Sequence, residues 1–219
     1  MSASMAPRLP LDPDLPERLA PAVGLSGLRD AELDGLMIEG VDWAGTGAQG
    51  LQLSESKLSG VDLGDAFLTR GRWRDVVVVA GDWANVMADD VVLRRVRFDG
   101  VRLTGANFSG STMENVTFSD CRLNLGSFRF ANIDSVRFDR CRMEGSDFTE
   151  AQITSATFVD CDLTEVGLAG VTFDRSEMRG CDLSGARNPE QLRGIRMPWA
   201  DIIRTAGELA IAVGIERLE

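Results

Sequence analysis

Residues 31–65 read AELDG LMIEG VDWAG TGAQG LQLSE SKLSG VDLGD, and the same beat of five runs on without a gap to CDLSG at 181–185. That makes 31 units in one register. The third residue is large and apolar in 29 of them, from Leu33 and Ile38 through Phe138 and Met143 to Leu183, and small only at Ala48 and Ala88. The first residue is never charged, and all 25 acidic and 15 basic residues of the segment fall at the second, fourth or fifth position. Two positions of each unit therefore face an interior and three face water. A period of five fits neither the 3.6 of an amphipathic helix nor the 2.0 of a half-buried strand, so the chain reads as an internal repeat. Gly fills the fifth position in 12 units, where a positive φ suits it best, and a turn is expected to close each unit.

A second period, of twenty, assembles the fives. Cys121, Cys141, Cys161 and Cys181 share one column, as do Phe98, Phe118, Phe138 and Phe158, and as do Phe108, Phe128 and Phe148. Four units per coil make a square cross-section in which like stacks on like at the strand-to-strand spacing of about 4.8 Å. Residues 31–185 then form nearly eight coils, roughly 37 Å of rod.

Units such as VDLGD, ANFSG, SDFTE and CDLSG resemble those of the pentapeptide-repeat family, over about 70% of the chain. The resemblance implies an all-β fold, a right-handed quadrilateral β-helix. Some members of that family imitate the size and charge of DNA, bind type II topoisomerases and protect them from quinolone-like inhibitors. The domain organisation expected is a Pro-rich N-terminal arm over 1–25, the β-helix over 26–187, and a C-terminal helical cap or dimerisation element over 188–219.

Composition limits the function. The 44% apolar content supports a sizeable core, and 23 glycines with only 6% aromatic residues suit many tight turns. A formal charge of −11 argues against direct nucleic-acid binding, which needs a basic footprint. No run of residues is apolar enough for a membrane span and no signal pattern opens the chain, so a cytoplasmic location is expected.

Five of the seven prolines lie in the first 21 residues, which excludes a regular helix or central strand there and predicts an extended arm. It could tether or cover the open first coil, or be a loose tail. After Ala186 the fives stop. Asn188, Pro189 and Gln191 read as N-cap, first helical residue and capping-box partner, with Gly194 as the stop. Beyond them Trp199, Ile202, Ile203, Ala206, Leu209 and Val213 recur at three and four, the face of an amphipathic helix. That face is expected either to seal the last coil or to join two copies into a homodimer.

No catalytic chemistry is legible. There is no His for a general base or a nucleophilic triad, and no carboxylate pair lies in an evident pocket. The chain is therefore expected not to be an enzyme and to need no cofactor. Gly45-Thr46-Gly47-Ala48-Gln49-Gly50 matches the dinucleotide-binding pattern GxGxxG, but it sits inside the repeat register with Thr46 and Ala48 facing inward, not between a strand and a helix. The four cysteines stack in a line, whereas a metal site needs ligands that converge, so no metal is expected and they read as buried thiols.

Charge on the surface is organised in blocks. Residues 31–93 carry 11 acids and 4 bases, 94–142 carry 5 and 9, and 143–185 carry 9 and 2. One second-position column runs Asp42, Asp62, Asp82, Arg102, Arg122, Arg142, Asp162, Asp182. Arg102, Arg122 and Arg142 form a candidate belt for an anionic partner, unless Asp99, Asp120 and Asp139 neutralise them in a solvated lattice. Outward apolar residues Phe67, Val77, Val79, Met87 and Val92 form a candidate contact patch. A non-catalytic scaffold that offers flat, charged faces to a protein partner is the function expected. The alternative is a DNA mimic acting on a type II topoisomerase such as DNA gyrase, which the basic belt and the absence of projecting loops disfavour.

Overall fold

The computed structural model describes residues 6–22 and 27–215. Twelve short strands lie parallel: β1 Ala20–Pro21, β2 Glu32–Asp34, β3 Leu36–Glu39, β4 Gln52–Ser59, β5 Arg72–Val79, β6 Val92–Asp99, β7 Thr112–Ser119, β8 Asn132–Asp139, β9 Gln152–Thr154, β10 Thr157–Val159, β11 Thr172–Asp174 and β12 Glu177–Arg179. From β2 onward every pairing joins residue i to i+20, as in Leu53 with Trp73 and Phe98 with Phe118, so the coil is twenty residues long. The result is a parallel-stranded β-solenoid of about eight turns with one C-terminal helix, α1 (Trp199–Ala212).

Each unit of five forms one side of a square. We name the sides by their inward third residues: face A (Trp43 to Leu183), face B (Ala48 to Leu168), face C (Leu33 to Phe173) and face D (Ile38 to Met178). All of these side chains are buried except Leu33 and Phe173, which are partly buried against the core near the two ends. At the corners, the turn is obligatory whatever residue makes it. All 31 fifth positions have positive φ, 12 as glycine and 19 as other residues, including Leu125 at 58° and Phe130 at 58°. An L-residue in this region costs roughly 1–2 kcal/mol, so the stacked coil overrides local preference at these sites.

The interior is packed by compensation of volumes. Trp43 shares its coil with Ala48, and Trp83 shares its coil with Ala88, so a large side chain on face A is matched by a small one on the adjoining face B. Further along, two phenylalanine ladders fill the tube. Phe98, Phe118, Phe138 and Phe158 stack at 4.8, 5.1 and 4.9 Å with rings nearly parallel, and Phe128 and Phe148 stack at 4.8 Å beside them. The two ladders meet edge to face, as Phe128 does with Phe138 at 5.9 Å and 85°. Both geometries are ones that the ring quadrupole favours.

The described part of the N-terminal arm is ordered on the rod. β1 pairs with β3 at the open edge of the first coil, with the Ala20 N–H donating to the Gly35 carbonyl at 2.8 Å. Before it, the chain runs lengthwise along the corner between faces C and D. The Asp14 N–H donates to Asp75 Oδ1 at 3.0 Å, the Leu11 N–H to Asn115 Oδ1 at 3.1 Å, and Arg8 pairs with Asp134 at 2.6 Å. The described residues of the arm thus cover part of the edge of the first coil and lie against the rod.

At the other end, the C-terminal segment seals the tube differently from the expectation. A 3₁₀ turn at Pro189–Leu192 buries Pro189 and Leu192, and Ile195 and Met197 pack on the core behind them. Asn188 does not cap that turn. It sits at φ 60°, where its side chain meets Glu190 at 3.2 Å and not a backbone N–H, because capping requires the extended region. Helix α1 then lies with most of its apolar stripe outward: Trp199, Ile203, Ala206 and Val213 are exposed, while Ile202, 38% exposed, and half-buried Leu209 line a shallow cavity with Leu192, Ile195 and Met197. Polar groups also meet the rod. Asp201 and Thr205 are buried, and Asp201 Oδ2 accepts the Gly180 N–H of the last coil at 2.8 Å. A strand edge has N–H groups to satisfy, and the core behind it is already plugged, so the helix docks through a carboxylate.

Candidate functional site

The arginine belt stacks as the spacing predicts. Isolated parallel bridges join Arg102 to Arg122 and Arg122 to Arg142 on face A, and all three side chains are exposed. What the belt replaces gives it meaning. Elsewhere in this column the second-position Asp accepts the N–H two residues on: Asp42 from Ala44, Asp62 from Gly64, Asp82 from Ala84, Asp162 from Thr164 and Asp182 from Ser184, at 2.8–3.1 Å. These are side-chain turns that brace the following corner. Arginine has no acceptor, so three consecutive coils forgo the brace.

Two of the three carboxylates expected to neutralise the belt, Asp120 and Asp139, serve elsewhere. Asp120 pairs with Arg140 at 2.8 Å, and Asp139 pairs with Arg137 at 3.1 Å and with Arg140 at 2.9 Å. The fifth position of each unit projects from a corner, so Arg140 reaches Asp120 directly above it while Arg122 and Arg142 point from the flat of the next face. Arg102 is paired with Asp82 at 2.6 Å. Among the described residues, no carboxylate lies within ion-pair distance of Arg122 or Arg142.

The apolar patch does not assemble as expected. Phe67 and Met87 are exposed and bridged to one another on face B, but Val77 and Val79 lie on face D, the opposite side, and Val92 on face C. Successive units turn a right angle, so neighbours in sequence part company. Val77 is also buried, at 5% exposure, in the strand between Asp75 and Val79. Two residues missed by sequence reading complete face B instead: Leu125 at the A/B corner and Phe130 at the B/C corner, 68% and 60% exposed. Among the described residues, the large apolar side chains exposed on the coils are Phe67, Met87, Leu125 and Phe130, all on face B or its two corners. Arg129 lies over the Phe130 ring at 5.4 Å, and pairs with Asp147 at 2.7 Å. Four large apolar residues at fifth or second positions, where the repeat wants polar ones, were the available signal.

Other candidate chemistry is structural. The four cysteines are free and buried, and hydrogen bonding along the thiol column together with burial pushes Cys141 and Cys161 up to about 12, which leaves them protonated and poor nucleophiles. Strand β4, not a helix, follows Gly50, and Ala48 is fully buried, so the glycine-rich segment is part of the tube. Among the described residues no cluster of ligands could hold a metal ion, and no helix is long and apolar enough to cross a membrane. On the far corner, the Arg95 guanidinium holds the Asp75 carboxyl below the usual range, aided by the Asp14 N–H. This anchor of the arm is therefore complete above the ordinary Asp range and lost only as pH falls through the depressed value.

Family models agree with the repeat. Family models described as "Pentapeptide repeat region" and "Pentapeptide repeats (8 copies)" match residues 91–168 and 156–187. Among solved structures, HetL, a protein involved in heterocyst differentiation regulation from the cyanobacterium Nostoc sp. Strain PCC 7120, is 16% identical over 78% of this chain and 90% of its own, with a TM-score of 0.33. Trypsin-treated QnrB1, a plasmid-mediated fluoroquinolone resistance protein, is 17% identical over 92% of this chain and 100% of its own, with a TM-score of 0.36. No curated protein matches. Residues 91–187 thus match pentapeptide-repeat models, and the same register of five runs unbroken on either side of them, from Ala31 to Gly185.

Proposed function

We propose that this chain is a non-catalytic scaffold that binds an acidic protein partner on faces A and B. The observation that carries the reading is the run of three arginines that displace the turn-bracing Asp, with Arg122 and Arg142 exposed and without an ion-pair partner among the described residues. Giving up a brace forgoes about 1–3 kcal/mol per coil, and stacking like charges adds repulsion, so the belt is not there for stability. Leu125 stands between the belt and face B, which places an apolar contact beside the cationic one. Charged side chains around an exposed apolar centre are the anatomy of a protein interface. Four free, buried thiols suit a reducing compartment, and we place the protein in the cytoplasm.

A second reading, imitation of DNA toward a type II topoisomerase, is favoured by the acidic ends of the rod and the charge of −11. It is weakened by the structural work that Asp42, Asp62, Asp82, Asp162 and Asp182 already do at their turns. One pair of substitutions separates the two. Arg122→Glu with Arg142→Glu is expected to leave the melting temperature within a few degrees of wild type and to abolish capture of partners from cell extract. In a gyrase supercoiling assay the scaffold reading predicts no effect of either protein. If the chain is a DNA mimic, wild type inhibits gyrase or rescues it from a quinolone, and the double variant, whose acidic column is then less interrupted, does so more strongly. The outward stripe of α1 (Trp199, Ile203, Val213) offers a further contact, for a second copy, and the mass of the chain in solution decides it.

A further inference from the structure

The N-terminal arm has a period of its own. Pro7, Pro10, Pro13 and Pro16 recur every third residue. Proline fixes its own φ near −65° and confines the residue before it to extended conformations, so two of every three residues from 6 to 16 are held in the polyproline II region. That helix has three residues per turn, and its prolines share one face. Pro7, Pro10 and Pro13 are half-buried on the rod, while Arg8, Leu9, Leu11, Asp12 and Asp14 are exposed.

The rod has a matching period. A polyproline II turn advances about 9.3 Å, and two coils of the solenoid advance about 9.6 Å. The residue after a proline therefore returns to an equivalent place on the C/D corner every second coil. The contacts follow that rule: the N–H after Pro10 (Leu11) meets Asn115 Oδ1, and the N–H after Pro13 (Asp14) meets Asp75 Oδ1, two coils away. One turn of the arm earlier, the guanidinium after Pro7 (Arg8) takes both oxygens of Asp134, at 2.6 and 2.7 Å, one coil and not two beyond Asn115, so the two-coil interval holds for the backbone N–H contacts alone. Asp12 adds a weaker contact to Arg97 at 3.9 Å. Recognition is thus by backbone N–H groups at a fixed interval, with one acidic position for a basic side chain.

We propose that the C/D corner is a recognition groove for polyproline II segments of partner proteins, those with proline at every third residue and a basic residue after the first, and that residues 7–16 are its resident occupant. The groove lies diagonally across the rod from Leu125 and is independent of the belt on face A. The resident arm is held by side chains at the surface: the Arg8–Asp134 pair is 60% and 35% exposed, and such pairs contribute little. An incoming segment competes with it on the same terms, against the effective concentration that tethering confers.

The test uses the full chain and a labelled synthetic peptide of residues 6–17. In full-length protein carrying Pro10→Gly and Pro13→Gly, hydrogen exchange of the arm is expected to accelerate and the peptide to bind. Wild type is expected to bind it at least about tenfold more weakly, because its own arm is in place. Adding Asn115→Ser and Asp134→Ala to the released-arm variant should lower the affinity at least about tenfold. Serine already occupies the equivalent corner at Ser135, with φ 56°, so folding should survive, and circular dichroism checks that it does. A peptide with its prolines respaced to every fourth residue should not bind. Three results overturn the proposal: no peptide binding to a chain whose arm exchanges freely, equal binding of the respaced peptide, or an arm that stays protected without its two central prolines.

Discussion

Replacing Phe138 by alanine is expected to destabilise the rod by about 3–5 kcal/mol, the usual result of deleting a fully buried aromatic ring. Phe138 has no exposed surface and is the most connected ring in the tube. It stacks on Phe118 at 5.1 Å and Phe158 at 4.9 Å, and meets Phe128 and Phe148 edge-on at 5.9 and 6.4 Å. The hole cannot close by collapse, because the Cα spacing of each column is set by the hydrogen-bonded rungs above and below. Against a total stability of about 5–15 kcal/mol, the loss should move the urea midpoint far down. Phe138→Leu, which keeps most of the volume, should cost distinctly less. A loss below about 1 kcal/mol for the alanine variant would mean that the ladder is not what fills the core.

Gly81→Ala is expected to cost about 3 kcal/mol or more, although it adds a single methyl group. Gly81 holds φ at 121°, outside even the left-handed region that the corner residues use. A Cβ there would lie 2.4 Å from the Val61 carbonyl oxygen and 3.3 Å from Trp83 Nε1. These two atoms hydrogen-bond to each other at 3.1 Å, so the methyl group would fall on an occupied contact. The unusual backbone has a visible cause. Bridges join Asp42 to Asp62 and Asp82 to Arg102, while between them the Trp83 indole has taken Val61 O as its acceptor. The Trp83 indole, bonded to Val61 O, thus needs glycine at position 81. The double change Gly81→Ala with Trp83→Leu should be less damaging than additivity predicts, and denaturation of the four proteins of that cycle measures the coupling.

The repeat was legible because its beat sorts side chains by chemistry at every unit. Charged residues never enter the first or third position, and the columns of Phe98 and Cys121 state the coil length outright. Outward features were harder to read, since four successive units look in four directions. Val77, Val79 and Val92 are close in sequence to Phe67 and Met87 but leave the rod on other sides. Leu125 and Phe130 lie far along the chain from Phe67 and share its face. Helix α1 left two roles open, seal of the last coil or contact with a second copy, because an apolar stripe says that something will cover it, not what. Leu192, Ile195 and Met197 pack at the end of the tube. By themselves the prolines of the arm say only that no regular helix or central strand forms there. Their spacing of three was present in the sequence, but its partners Asp75, Asn115 and Asp134 stand 61 to 126 residues away and become a ladder only once the coils are stacked.

Every inference about faces, corners and columns depends on twenty residues advancing the rod by one strand spacing. Spin labels on exposed positions of the face A column measure that advance directly, with cysteine introduced at Asp42 together with Arg122, Arg142 or Asp182; the native cysteines are buried. Pulsed electron resonance should give separations near 19, 24 and 34 Å, rising by about 4.8 Å for each twenty residues. Separations that fail to rise in proportion to the number of coils between the labels would contradict the stacked square coil.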